Sequence, residues 1–158
     1  MTRRERTVII VCAVFMAIAL FAFFMSSGDR KKEEVIAFFD DNNAMLLETA
    51  RQLTDGTITP KSAVKKICRS TDVEKDHITI SDKKSLDIYL GGFGIVPAGA
   101  DYGLVYLPTN NMKDFQWWTD EHKPYTKEGK GYYTDDGTDN SIYLEELKDH
   151  WYYYYVTF

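Results

Sequence analysis

The sequence predicts an α+β protein: an N-terminal transmembrane helix, one or two further helices, then an antiparallel sheet of about five to six short strands. Three observations carry that expectation. Thr7 to Met25 is a nineteen-residue run without charge, Pro or Gly. Apolar residues then recur at helical spacing from Val35 to Leu53, and Thr59-Pro60 opens a second, shorter helical pattern. After Ser70 the apolar period changes to two.

At ~1.5 Å per residue the first run spans roughly 28 Å as a helix, about the hydrocarbon thickness of a bilayer. In lipid the backbone polar groups must be satisfied within the segment, which demands a helix. Arg3, Arg4 and Arg6 precede the run against a single Glu5, whereas Arg30, Lys31 and Lys32 follow it mixed with Asp29, Glu33 and Glu34. The denser positive flank makes residues 1–6 a cytoplasmic tail, 7–25 the single membrane span and 26–34 a juxtamembrane segment. Residues 35–158 then form an extracytoplasmic domain held at the cell membrane. A cleaved signal peptide, releasing a secreted domain, is the alternative. Against it, Ala22-Phe23-Phe24-Met25-Ser26-Ser27 lacks the small-residue pair of an A-x-A-like site. Cys12 lies inside the run after bulky Val11, which does not suit a lipoprotein. A buried helix of a soluble protein is the remaining reading of the run.

The chain of 158 residues has room for one anchor and one globular domain. It holds 19 Lys and Arg and 24 Asp and Glu; with Arg3, Arg4, Arg6 and Glu5 set aside, 16 and 23 remain, so the rest of the chain carries −7. Such a domain does not suit nucleic acid, which calls for a basic patch. Aromatic residues make up 15% of the chain and crowd its last third, enough apolar material for a core. Of the two cysteines, Cys12 falls in the anchor and Cys68 in the domain, which excludes a disulfide within the domain. Cys68 reads as a small buried apolar residue of a helix.

Taken in order, Ser26-Ser27-Gly28 is a break, and a helix follows from Asp29. Val35, Ile36, Phe38, Phe39, Met45, Leu46, Ala50 and Leu53 recur at roughly helical spacing along it. Asp40-Asp41-Asn42-Asn43 is poor helix material and predicts a kink there, or a second helix capped by Asn43. Gly56 marks the stop. Thr59 is suited to an N-cap and Pro60 to a first helical position, with Ala63, Val64, Ile67 and Cys68 on one face. Lys61, Lys65, Lys66 and Arg69 read as its solvated face. Strands are expected at His77–Ser81, Ser85–Leu90, Gly103–Leu107, Tyr132–Thr134, Ile142–Leu147 and Trp151–Phe158, the last two turning at Lys148-Asp149-His150. Short strands joined by turns pair antiparallel, and the helices are expected to cover one face.

Chemistry-bearing motifs are sparse. Gly91-Gly92-Phe93-Gly94 follows a strand but precedes no helix, so it reads as a tight bend and not as a phosphate loop. Asp135, Asp136, Asp139 and Asn140 surround Gly137, but an EF-hand register would put Tyr132 first and Tyr143 last, so the stretch reads as a hairpin turn. His77, His122 and His150 have no His or Cys partner at metal-ligand spacing. No nucleophile elbow is present, and no catalytic residue, cofactor or metal site is expected.

The aromatic tail is the unusual feature. Trp151, Tyr153 and Tyr155 share one face of the last strand; Tyr152, Tyr154 and Phe158 share the other. One set is expected in the core. The other, with Trp117 and Trp118, is a candidate binding surface, so the candidate residues are Trp117, Trp118, Trp151, Tyr153 and Tyr155. The competing expectation is that loop 108–131 or the helices cover that second face.

The runs GGFGIVPAGADYGLVYLPTNN and GKGYYTDDGTDN, with the ending HWYYYYVTF, resemble uncharacterised small exported or membrane-anchored proteins of Gram-positive bacteria. These share a G-x-x-P…YG…Y pattern after two helices and a Trp-Tyr-rich last strand. The resemblance covers residues 35–158. It implies a fold and an envelope location, and no activity, cofactor or site. A likeness to type IV pilins is architectural only, because the Gly-Phe processing site is missing. The expected role is therefore non-enzymatic binding of a protein partner or a cell-wall glycan. The rival is an envelope enzyme such as a wall hydrolase, which needs two carboxylates in a groove, one with a raised pKa.

Overall fold

A computed structural model describes residues 30–95 and 98–158. The chain divides into two compact units, Met1–Glu34 and Val35–Phe158. The apolar run Thr7–Met25, and with it the expected membrane span, lies outside the described residues. Among the described residues no helix is long and apolar enough to cross a membrane. In the first unit, residues 30–34 are helical, with Lys31 and Glu34 paired at 2.9 Å.

The second unit has two helices and one seven-stranded antiparallel sheet. Helix α1 runs over residues 35–54 without interruption. Val35, Phe39, Leu46, Ala50 and Leu53 are buried along one stripe. The expected kink is absent because the two Asn side chains bond backward instead of capping. Asn42 Nδ2 donates to the carbonyl of Phe38 at 2.9 Å, and Asn43 Nδ2 to that of Asp40 at 2.7 Å. Gly56, at φ 73°, ends the helix in the left-handed region, and the Thr57 amide closes back on the Gln52 carbonyl at 2.9 Å. Helix α2, Pro60–Ser70, opens as expected: the Thr59 hydroxyl accepts from the Ser62 amide at 3.2 Å and Pro60 fills the first turn. Ala63 and Ile67 are buried, while Cys68 is only half-buried.

The strands are β1 (Ile78–Ile80), β2 (Leu86–Ile95), β3 (Ala98–Tyr106), β4 (Thr126–Glu128), β5 (Gly131–Asp135), β6 (Ser141–Lys148) and β7 (Trp151–Thr157). Their order across the sheet is β1-β2-β3-β7-β6-β5-β4. Two expectations need correction. There are seven strands, not five or six: β4 is a three-residue edge strand paired to β5, too short and polar for its period to register. The glycine run is also not a bend. Strand β2 continues through it with a bulge between Tyr89 and Gly91, and stays paired to β3 as far as Ile95 and Ala98.

The sheet is covered on both faces. On one, α1 and α2 enclose Leu86, Ile88, Leu104, Trp151 and Tyr153. On the other, Val105, Ile142, Leu144, Tyr152, Tyr154 and Val156 lie under the connection between β3 and β4, which contributes Leu107 and Phe115. The Phe115 ring meets Tyr154 at 5.0 Å. Asn111 caps a single 3-10 turn in this connection, Met112–Asp114, by accepting from the Lys113 amide at 3.2 Å.

Candidate functional site

The predicted alternation along β7 holds, and it decides the fate of the predicted surface. Trp151, Tyr153 and Tyr155 face the helices. Trp151 is 0% and Tyr153 4% exposed, and Tyr155 is half-buried. Trp151 touches Phe39 and Tyr106, with ring centroids at 6.0 and 5.6 Å. These two residues are core and do not belong to a surface, because α1 lies across them. Trp118 is half-buried in the second core, with the Lys113 ammonium 4.9 Å from its ring centroid. Of the five predicted residues, only Trp117 is exposed, at 37%.

Trp117 is instead joined by one residue outside the predicted set. Phe158 stacks on it at 6.1 Å with the ring planes 2° apart, and Phe158 is 42% exposed. Phe93, 38% exposed, packs on Tyr155 at 6.3 Å on the helix side. These three are the exposed large apolar side chains among the described residues, and all belong to the end of the sheet where β2 and β3 are joined. The Phe158 ring lies over Gly99: a Cβ there would stand 2.9 Å from its Cε2. Glycine therefore makes the floor on which the ring rests.

On the same face as Gly99, two residues further along β3, stands Asp101. Its carboxylate and the Tyr89 hydroxyl converge over Gly92, where an added Cβ would lie 2.9 Å from the hydroxyl and clash with the carboxylate. Neither group has a hydrogen-bond partner among the described residues. Partial burial pushes the Asp101 carboxyl above its usual value. Burial and the nearby Asp101 charge do the same to the Tyr89 phenol. The Tyr89 ring is steadied by His77, edge-on at 5.1 Å.

Deeper on this face is Asp87, 5% exposed. Gln116 Nε2 donates to its Oδ2 at 2.7 Å, and the Tyr154 hydroxyl also bonds to it. Burial raises its pKa to about 7, against the pull of those two donors. Gln116 immediately precedes Trp117, so this buried bond sets where the exposed ring stands. A strip results: Asp87 and Gln116 at its inner end, Tyr89 and Asp101 over Gly92, and Trp117 with Phe158 over Gly99. Sequence reasoning missed Tyr89 and Asp101, because only the β2–β3 register and the course of the loop bring them to the face that carries Trp117. The unexplained glycines in otherwise regular strand were the available signal.

Two other groupings are less developed. Glu74, Asp76 and His77 bring ligand atoms within 4.8 Å of one another, but all three are exposed and form one short turn. Lys61, Lys65, Arg69 and Lys75 surround Val64 and Cys68 in a concavity of about 450 Å³ along α2, an apolar floor within the expected solvated face. The Asp135–Asn140 turn holds its own carboxylates: Asp135 accepts from the Gly137 amide, and Asp136 from the Thr138 amide and the Asn140 side chain, at 2.7–2.8 Å.

No family model matches this chain, and no curated protein or solved structure matches it either.

Proposed function

We propose that the chain is a single-pass membrane protein whose residues 35–158 form an extracytoplasmic binding domain without enzymatic activity. The supporting observation is the parallel, solvent-exposed Trp117–Phe158 ring pair. Large rings held in the open by a rigid sheet end provide contact area at low entropic cost. The partner is a protein or a cell-wall glycan. The anchor is the Thr7–Met25 run, read from its length and flanking charge.

The rival enzyme would use Asp87 as its raised-pKa acid. That carboxyl is closed over by Gln116 and Tyr154, which suits a structural pin better than a group meeting substrate.

The test is photo-crosslinking in intact cells, with a photoreactive side chain at 117, at 158 or at the exposed control position Lys127. Adducts with an envelope component at 117 and 158 but not at 127 are expected. Their absence at 117 and 158 overturns the binding reading. An export-dependent reporter fused after Phe158 should be active, and the recovered chain should have its full mass. Activity of a cytoplasmic reporter alone would reverse the topology, and a product starting near Ser26 would mean cleavage.

A further inference from the structure

We propose that the strip formed by Tyr89, Asp101, Trp117 and Phe158 is a glycan-binding site: the stacked rings carry the C–H face of a sugar, and the carboxylate and phenol take its hydroxyls. This rests on the reading of the domain as a binding module and names its ligand.

Four observations support it. First, the two rings are parallel to within 2°, with centroids 6.1 Å apart, and each is about two-fifths exposed, so aromatic surface is presented to solvent. A pyranose presents axial C–H groups on one flat side, which fit such a π-surface, and hydroxyls around its rim. Second, the polar groups that rim hydroxyls require stand next to the ring pair. Asp101 lies on the same sheet face as Gly99, two residues from the floor of the Phe158 ring. A carboxylate accepts from two neighbouring hydroxyls at once, and a phenol can donate or accept. Third, neither Asp101 nor the Tyr89 hydroxyl is satisfied by another described side chain. A half-buried carboxylate without a partner is costly to maintain, and ligand hydroxyls would satisfy it. Fourth, the strip is preorganised. Gln116 is bonded to buried Asp87, which fixes the chain just before Trp117, and glycines at 92 and 99 leave space for the polar pair and for the Phe158 ring.

The charge selects among glycans. Asp87 and Asp101 are the acidic groups on this face near the ring pair, and the chain as a whole is acidic. An anionic polymer would be repelled, so the ligand is an uncharged stretch of hexose or hexosamine units. A protein partner is the weaker fit, because two exposed rings fall well short of the ~800 Å² that a standard interface buries on each side.

The experiment uses the full chain in detergent micelles, titrated by calorimetry with chitohexaose, an uncharged chain of hexosamine units. Saturable binding of chitohexaose is expected. W117A, F158A and D101N should each weaken it by about tenfold or more, while W117F retains most of it. Thermal unfolding of each variant must stay near wild type; Y133A, on β5, two strands beyond β7, is the control that should bind normally. Binding that survives all three substitutions overturns the proposal, as does no binding of chitohexaose. If chitohexaose fails to bind but crosslinks at 117 capture a protein, the glycan assignment falls and the binding reading stands. If no crosslinks form either, both fall.

Discussion

The two faces of the sheet are buried to a similar degree by different means, and the exposed Trp117–Phe158 ring pair lies on the less regular one. On the helix face the cover is α1 and α2, and the contacts are apolar: Phe39 on Trp151, Tyr106 on Trp151, Leu46 and Ile67 in the layer above. On the loop face the cover is residues 107–125, held by polar bonds. Gln116 reaches Asp87, the Tyr152 hydroxyl reaches Asn110, Asp114 takes Thr109 and Lys83 at 2.7 and 2.5 Å, and Lys123 meets Asp135 at 2.5 Å. A helix buries its stripe by periodicity alone. A loop must have its backbone groups satisfied one by one, and each such bond is a point where the cover can be placed or left open. The Tyr89–Asp101 pair and the Trp117–Phe158 rings lie on the loop face.

The largest effect should separate the two covers at the core. Trp151→Ala removes the largest fully buried side chain of the helix face and should cost about 3–5 kcal/mol by chemical denaturation. A loss below about 1 kcal/mol would mean that α1 does not clamp the sheet there.

Next comes the pinned carboxylate of the loop face. Asp87 has a folded pKa of about 7 against 3.8 unfolded, so folding favours its protonated form. Its contribution is complete below about pH 4 and is lost as pH rises through about 7, with an upper limit of roughly 4 kcal/mol. Asp87→Asn keeps the shape without the charge. The stability of wild type relative to that variant should therefore fall between pH 4 and pH 8. A difference independent of pH would show that burial does not disfavour the charge.

A smaller effect should come from the bond between loop and sheet. Gln116→Leu deletes one donor to Asp87 and should cost about 1–3 kcal/mol. It should also raise the exposure of Trp117 to a soluble quencher. Unchanged quenching would uncouple Asp87 from the position of the ring.

The smallest change in stability should come at the rim. Trp117→Ala should move the unfolding free energy by less than about 0.5 kcal/mol, because the ring is exposed and closes no core. A loss as large as that of Trp151→Ala would make Trp117 part of the core and remove the distinction between the faces.

Much of the architecture was legible in the chain. The caps Thr59-Pro60 and Gly56, the turn at Asp149-His150 and the alternation of β7 are local features, read from neighbours within a few residues. Where local patterns misled, tertiary pairing outweighed them. Asp40–Asn43 stays helical because Phe39 and Leu46 on either side are buried on the sheet, and that burial exceeds the weak propensity of the four polar residues. Gly91–Gly94 stays in a strand because β3 pairs with it residue for residue.

The sequence by itself determined the two helices and six of the seven strands of residues 35–158, their order, the antiparallel plan and the fact that each face of β7 carries aromatic rings. Only the tertiary structure decided that the last strand lies at the centre of the sheet, between β3 and β6, and that both its faces are covered. It also decided that Phe158 and Trp117, forty-one positions apart, meet over Gly99 beside Asp101. The reason is physical. Helix caps, turns and strand period are set by interactions within one or two turns of chain. Strand order and loop course are set by which long-range pairing buries the most apolar surface while satisfying every buried polar group, and that sum is not written in any single stretch.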